Sequence, residues 1–141
     1  MKTIVNLCMI GALSLGLSGC MESKEAPSCS NEQIKIMVKE IYVKHIKDSA
    51  KENILAQVFL AAAPQHIVKL ESARAMAYDE KIMLRSCKAE AVFDGNTTAN
   101  ITYTVQLDEN DKDKLYVELQ LDFLEALMQQ GLMNQFMKEI K

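Results

Sequence analysis

Residues 100–121 read NITYTVQLDENDKDKLYVELQL and contain two runs in which apolar and polar side chains alternate. Alternation of this kind places every second side chain on the same face of a β-strand. Between the runs, residues 108–113 are almost all charged, which is typical of a turn exposed to water. The segment therefore predicts two antiparallel strands joined as a hairpin.

Further strands are predicted upstream of this hairpin. Residues 87–93 alternate in the same way, and Asp94-Gly95 then turns the chain toward the strand that contains Ile101. Residues 66–78 suit a strand at their beginning and a helix further on, and we expect a strand. The sheet would then be an antiparallel meander of about four strands.

Helical spacing occurs on the amino-terminal side, where apolar residues recur at steps of three and four. The first stripe consists of Ile34, Met37, Val38, Ile41, Tyr42 and Ile46, and the second of Ile54, Leu55, Val58, Phe59 and Ala62. Ser30 with Gln33 is a capping-box pattern before the first stripe. Ser49 with Glu52 is another before the second stripe, which Pro64 ends. We expect one kinked helix or two short helices whose stripes belong to the core.

The carboxy-terminal part, Asp122 to Ile140, returns to helical spacing. Its apolar stripe is interrupted by Gly131 and consists of Phe123, Leu124, Leu127, Met128, Leu132, Phe136, Met137 and Ile140. The order helix, sheet, helix predicts a single α+β domain over residues 30–141, with its helices laid over one sheet face. If the helices exceed what the sheet can bury, the tail helix would offer an adaptable interaction surface of Met128, Met133 and Met137.

The first twenty residues, MKTIVNLCMIGALSLGLSGC, have the order of a secretory signal, with Lys2 before a mostly apolar run. This run is shorter than the roughly 20 apolar residues of a transmembrane helix. Leu17-Ser18-Gly19-Cys20 resembles the lipobox of bacterial lipoprotein precursors. The resemblance implies that residues 1–19 are a signal peptide and that the Cys20 thiol carries a lipid with acyl chains such as palmitate.

Lipidation would hold the domain at a membrane through a short tether, residues 20–29. The residue after Cys20 is Met21, whereas retention in the inner membrane is often marked by Asp at this position. We therefore expect an anchor in the outer membrane, on its periplasmic side. The alternative is a plain secretory signal that happens to contain Cys20.

The number of cysteines also fits an exported protein. Cys8 would leave with the signal peptide and Cys20 would be taken by the lipid, so Cys29 and Cys87 remain. Two thiols in an oxidising compartment predict one disulfide. The alternative is a pair of free thiols or a pair of metal ligands.

Composition and motifs point away from nucleic-acid binding and from catalysis. The formal charge is −3, and removal of residues 1–19 would delete one Lys and leave −4. This negative charge argues against nucleic-acid binding, because nucleic acids are bound chiefly by Lys and Arg. Motifs typical of hydrolases, metalloproteases and nucleotide-binding proteins are missing from the sequence. Neither His45 nor His66 lies near a cysteine, and Asp111 and Asp113 lack the Gly and Glu of a calcium loop. We expect no catalytic residue, no cofactor and no metal, and a half-buried structural role for His45.

Residues 94–98 carry an acceptor pattern for a sugar. Asp94-Gly95-Asn96-Thr97-Thr98 has an acid two residues before Asn96 and a hydroxyl residue two after it, as in the extended bacterial N-glycosylation site. The pattern falls in a predicted turn, where such a site must lie. The alternative is an ordinary β-turn without a glycan.

A second resemblance covers most of the mature chain. The segments similar to a pattern in short bacterial envelope lipoproteins are Arg85-Ser86-Cys87-Lys88-Ala89, Ile101-Thr102-Tyr103-Thr104-Val105 and Tyr116-Val117-Glu118. No activity comes with this resemblance. We expect a non-enzymatic binding or accessory module that contacts an envelope protein or polymer through its exposed sheet face or its tail helix. One rival hypothesis is an inhibitor or exclusion (immunity) lipoprotein that blocks an incoming enzyme or mobile element. Its contact surface would be the acidic turn, residues 108–113. The other rival hypothesis is an unrecognised hydrolase.

Overall fold

A computed structural model describes residues 25–140 of the chain. The elements in chain order are α1 (Glu32–Ser49), α2 (Ile54–Ala61), β1 (Ile67–Asp79), β2 (Leu84–Phe93), β3 (Thr98–Leu107), β4 (Leu115–Leu119) and α3 (Phe123–Glu139). The predicted signal peptide, Cys20 and the first half of the predicted tether lie outside the described residues.

The predicted α+β class is confirmed, with two amino-terminal helices, a meander and a carboxy-terminal helix. The four strands are ordered β1-β2-β3-β4, and each neighbouring pair is antiparallel. Residues 66–78, which suited either a strand or a helix, lie almost entirely in β1. The acidic turn lies between β3 and β4, as the alternation on its two sides predicts.

The two central strands show which face of the sheet is buried. The odd-numbered residues of Cys87–Phe93 and Ile101–Leu107 are buried, and the register places Cys87 opposite Tyr103. Even-numbered residues of these strands are mostly polar and lie on the other face, where they are half-buried or exposed. The helices therefore pack on one side of the sheet, and the opposite side is a polar face.

Tyr42 lies at the centre of the core. α1 buries side chains at four-residue steps, namely Ile34, Val38, Tyr42 and Ile46. The ring centroid of Tyr42 is 5.3 Å from that of Phe93 and 6.1 Å from that of Phe123. Its hydroxyl donates to the Pro64 carbonyl oxygen at 2.6 Å, and burial raises the pKa of Tyr42 far above its usual value. One side chain thus connects α1, β2, α3 and the segment after α2.

Both amino-terminal helices are capped by asparagine, so the caps predicted at Ser30 and Ser49 are wrong. The Asn31 side chain caps α1, and the Asn53 side chain caps α2 by accepting from the Ala56 amide at 2.6 Å. Ser and Asn cap helices about equally well, so residue type alone does not choose between neighbouring candidates. Ser49 is instead the last residue of α1.

Candidate binding surfaces

A disulfide fastens the first described residues to the sheet. Cys29 and Cys87 are bonded at an S–S distance of 2.05 Å, and both are buried. The Tyr103 hydroxyl donates to the Cys29 carbonyl oxygen at 2.7 Å, and burial raises the pKa of Tyr103 to about 12. The predicted disulfide is confirmed, which rules out the alternative of free thiols or metal ligands for this pair.

Arg85 holds the chain just before the disulfide. Its Nη2 donates to the Ala26 carbonyl oxygen at 3.0 Å and lies 3.6 Å from a carboxylate oxygen of Glu25. Its guanidinium carbon lies 4.6 Å from the centroid of the Tyr78 ring, within the range of a cation–π contact. Ala26 and Cys29 are both buried, so this part of the predicted tether is packed onto the domain.

Sequence reasoning did not predict this role of Arg85. The signal that could have found it is a charged side chain at an odd-numbered position of β2, in line with the buried residues from Cys87 onward. An arginine at such a position needs a partner on the covered side of the sheet. The backbone of residue 26 supplies it.

α2 exposes most of its apolar side chains, which contradicts the expectation that its stripe belongs to the core. Leu60 is buried and Ala56 packs against the core. The side chains left in water are Ile54 (81% exposed), Leu55 (68%), Val58 (60%) and Phe59 (42%). The physical reason is that Gln57 is the one polar residue in this eight-residue helix, so an apolar side remains exposed whichever side is buried.

α3 is buried in its first half and exposed in its second. Phe123, Leu124 and Leu127 are buried, and Met128 packs against the core. The exposed apolar residues are Met133 (66%), Phe136 (63%), Met137 (62%) and Ile140 (80%). Of the three methionines proposed as an interaction surface, Met133 and Met137 are therefore accessible and Met128 is largely not.

α3 approaches the end of α2 at Gly131. A Cβ at Gly131 would overlap the carbonyl oxygen of Ala62, so glycine is required for this close approach of α3 to the end of α2. We call the eight exposed side chains the apolar surface, and they are Ile54, Leu55, Val58 and Phe59 of α2 with Met133, Phe136, Met137 and Ile140 of α3.

A groove with basic walls runs next to the start of α2. It has a volume of about 500 Å³ and lies between α1 and the beginning of β1, where the lining residues are Lys39, Glu40, Val43, Lys44, Lys47, Asp48, Lys51, His66 and Ile67. Lys39 Nζ donates to the Val68 carbonyl oxygen at 2.8 Å, and Lys51 Nζ lies 3.3 Å from an Asp48 carboxylate oxygen. The lysines outnumber the acids here, although the whole chain carries a net negative charge.

The tether segment and the apolar surface lie at opposite ends of the sheet. Ala26 is bound by Arg85, the second residue of β2, whereas Asp94 follows the last residue of β2 and its Oδ1 accepts from the His66 amide at 2.9 Å. α2 ends shortly before His66. β2 has 10 residues, so these ends are separated by about 30 Å. We call them the tether end (Ala26, Cys29, Arg85 and Cys87) and the far end (α2 and the turn at residues 94–97).

The acidic turn lies at the tether end, because Gln106 at the end of β3 pairs with Leu84 at the start of β2. Asp108 Oδ1 accepts from the Asn110 amide at 2.9 Å and from the Asp111 amide at 3.0 Å, and Oδ2 accepts from the Tyr116 hydroxyl at 3.0 Å. These hydrogen bonds lower the pKa of Asp108, and the bond from the Asn110 amide has the largest effect. The turn is thus ordered by its own carboxylate.

The two histidines lie in different surroundings. His45 is half-buried and its Nε2 lies 3.3 Å from the Ser49 hydroxyl oxygen, while His66 is exposed at the far end. Among residues 25–140, no three His, Cys, Asp or Glu side chains are grouped closely enough to hold a metal ion. In the same part of the chain, no helix has both the length and the apolarity to cross a membrane.

Asn96 lies in the turn between β2 and β3. The Phe93 amide donates to the Thr97 carbonyl oxygen at 2.8 Å, which closes the turn, and Gly95 and Asn96 have φ values of 84° and 62°. Asn96 is exposed. Thr97 and Thr98 line a groove of about 670 Å³ together with Met133 of α3, so this turn lies beside the apolar surface.

The chain matches no family model, no curated protein and no solved structure.

Proposed function

We propose that the protein is a non-enzymatic binding or accessory module of the bacterial cell envelope, anchored in the outer membrane by a lipid on Cys20 and facing the periplasm. The lipobox pattern of residues 17–20 supports the anchor. The Cys29–Cys87 disulfide supports an oxidising compartment, because stable disulfides are mostly a property of exported proteins.

The observation that carries the binding role is the apolar surface. Single exposed apolar side chains are normal on any protein. Here four are exposed on the eight-residue helix α2 and four on the second half of α3, and clusters of exposed apolar side chains mark interaction sites. Burying such side chains against a partner is favourable by roughly 25 cal/mol per Å² of apolar area.

The position of this surface favours a protein partner over the lipid bilayer. The five residue steps from Cys20 to Glu25 span at most about 18 Å, so the tether end stays close to the membrane. The far end lies about 30 Å from the tether end, within reach of proteins in the periplasm. Lys44, Lys47 and Lys51 precede α2, so the fitting partner has an apolar site with an acidic rim.

Site-specific photo-crosslinking in the native envelope tests the binding role. A photoreactive amino acid is placed at Val58 in the apolar surface or, as a matched control, at exposed Glu118 on the polar sheet face. We expect Val58 to give an adduct with one protein, and we expect Phe59→Asp to abolish it and Lys47→Glu to weaken it. Equal adducts from both positions, or an adduct insensitive to Phe59→Asp, would contradict the proposal.

Cys20→Ala tests the anchor separately. We expect this variant to lose lipid labelling and membrane retention, with the described domain still folded through its Cys29–Cys87 disulfide. Isolation of the wild-type protein with residues 1–19 intact and without fatty acid would overturn the anchor and, with it, the assigned compartment.

The rival is an inhibitor or exclusion lipoprotein, and the acidic turn favours it because carboxylates suit a basic target such as a lysozyme. Its position at the tether end is less favourable, since the membrane would limit access to it. Purified mature protein added to a lysozyme assay decides this form of the rival. Inhibition that is lost in an Asp111→Asn/Asp113→Asn variant would support it, and unchanged lysozyme activity would refute it.

A further inference from the structure

We propose that Asn96 is an acceptor for an N-linked oligosaccharide, donated by a polyprenyl-diphosphate-linked precursor. In the transfer, Asn96 Nδ2 forms a bond to the anomeric carbon of the first sugar while the bond from that carbon to the diphosphate oxygen breaks. Nδ2 loses one proton, and polyprenyl diphosphate leaves with the electron pair. The inference rests on the proposed function, since the donor is met only by an exported chain.

A second asparagine of the same chain, Asn100, shows what distinguishes Asn96. Asn100-Ile101-Thr102 has the same spacing of asparagine and threonine as Asn96-Thr97-Thr98. Both asparagines are exposed, so accessibility of the side chain does not separate them. Their backbones and their flanking residues do.

Asn100 is held in the ladder between β2 and β3. It lies in β3, where its register partner on β2 is Glu90. Two residues further on, the Thr102 hydroxyl donates to Gln120 Oε1 at 2.9 Å. A transferase that must grip the chain on both sides of the asparagine would have to open β3 from its neighbours.

Asn96 itself lies outside this ladder. It lies in a tight turn with a left-handed backbone, and Thr98, the hydroxyl residue of its pattern, is exposed at the first position of β3. The acid of the pattern, Asp94, is exposed as well, whereas the corresponding residue for Asn100 is Thr98, which has no charge. To hold the chain on both sides of Asn96, a transferase has to release only the end of the sheet, namely the pairing of Thr98 with Val92 and the contact of Asp94 with the His66 backbone.

The experiment mixes the purified full chain with a bacterial oligosaccharyltransferase that acts on acid-containing sites and with a lipid-linked oligosaccharide of known mass. We expect the glycan mass on the peptide that contains Asn96, its loss in Asn96→Gln, and its retention in Asn100→Gln. Asp94→Asn keeps an oxygen that can accept from the His66 amide but removes the charge, and we expect it to lose the modification. An unmodified Asn96 peptide, or a glycan on Asn100 instead, would overturn the proposal.

This assay does not depend on export. A parallel culture in which the transferase and the full chain are made together reports export through the mass of the amino-terminal peptide. Glycan transfer in the purified mixture with residues 1–19 retained in the culture would contradict the proposed function and leave the acceptor site supported. Failure of transfer to the purified chain, with residues 1–19 removed in the culture, would overturn the acceptor site alone.

Discussion

The tether end and the far end of the domain differ in how many of their side chains are buried or bonded to other parts of the chain. At the tether end, the disulfide is buried, the Tyr103 hydroxyl bonds to the Cys29 carbonyl oxygen, and Arg85 binds the backbone at Ala26. At the far end, α2 is attached mainly through Leu60 and leaves four large apolar side chains in water. One end is thus fixed by buried covalent and polar contacts, whereas the other leaves apolar side chains exposed to water.

The strongest test of the fixed end is removal of the disulfide. Cys29 and Cys87 are 58 residues apart, and the chain-entropy model predicts that Cys29→Ser/Cys87→Ser lowers the free energy of unfolding by about 4 kcal/mol. Urea unfolding of the full chain measures this loss. As a control, Lys88→Ser on the polar face of the same strand should change stability by no more than about 0.5 kcal/mol. A double variant as stable as the wild type would show that the crosslink does not hold this end.

Two leucines of α2 allow the buried and the exposed side of this helix to be compared directly. Leu60 is 6% exposed and Leu55 is 68% exposed. Leu60→Ala should therefore cost about 2–4 kcal/mol through lost burial and a cavity. Leu55→Ala should stay within about 0.5 kcal/mol, because it removes an exposed side chain and alanine favours the helix. Equal losses in chemical denaturation would mean that both faces of α2 are buried, and the apolar surface would have to be redrawn.

The strands could be predicted from the sequence because their alternation is long and unbroken. Residues 101–107 bury every second side chain, and that pattern alone identifies both the strand and its core face. Burial of α2 could not be predicted in this way. Periodicity shows that a helix is apolar, but whether that side is covered depends on how other elements fill the sheet face, which is a property of the whole fold.

The same limit applies to the site residues. Cys29 and Cys87 could be paired by counting once Cys8 was assigned to the expected signal peptide and Cys20 to the expected lipid, because two remaining thiols leave one choice. The contact of Arg85 with the backbone of Ala26 could not be predicted, since it joins residues 59 apart in sequence through a backbone carbonyl that any residue would supply. In the sequence Gly131 only interrupts the α3 stripe, and its packing against Ala62 follows from the fold.

Alkaline pH should weaken the core that links both ends. Burial raises the pKa of Tyr103 to about 12 and also raises that of Tyr42, from an ordinary value of 10.0. The unfolded chain therefore loses these protons first, so their contribution is complete below about pH 10 and falls as pH rises through about 12. Urea midpoints measured over this range should decrease, and Tyr103→Phe should show a smaller decrease. A midpoint independent of pH up to 12 would contradict the burial of these hydroxyls.

The most direct measurement of the central claim is thiol labelling of the far end, in the purified protein and in the intact envelope. Cysteines are introduced separately by Val58→Cys in the apolar surface and by Glu118→Cys on the polar sheet face, both exposed positions. We predict rapid labelling of both variants after purification. In the envelope, we predict slow labelling at residue 58 and unchanged labelling at residue 118, because the proposed partner would cover the apolar surface. Labelling at residue 58 that is as fast in the envelope as in the purified protein would contradict the account.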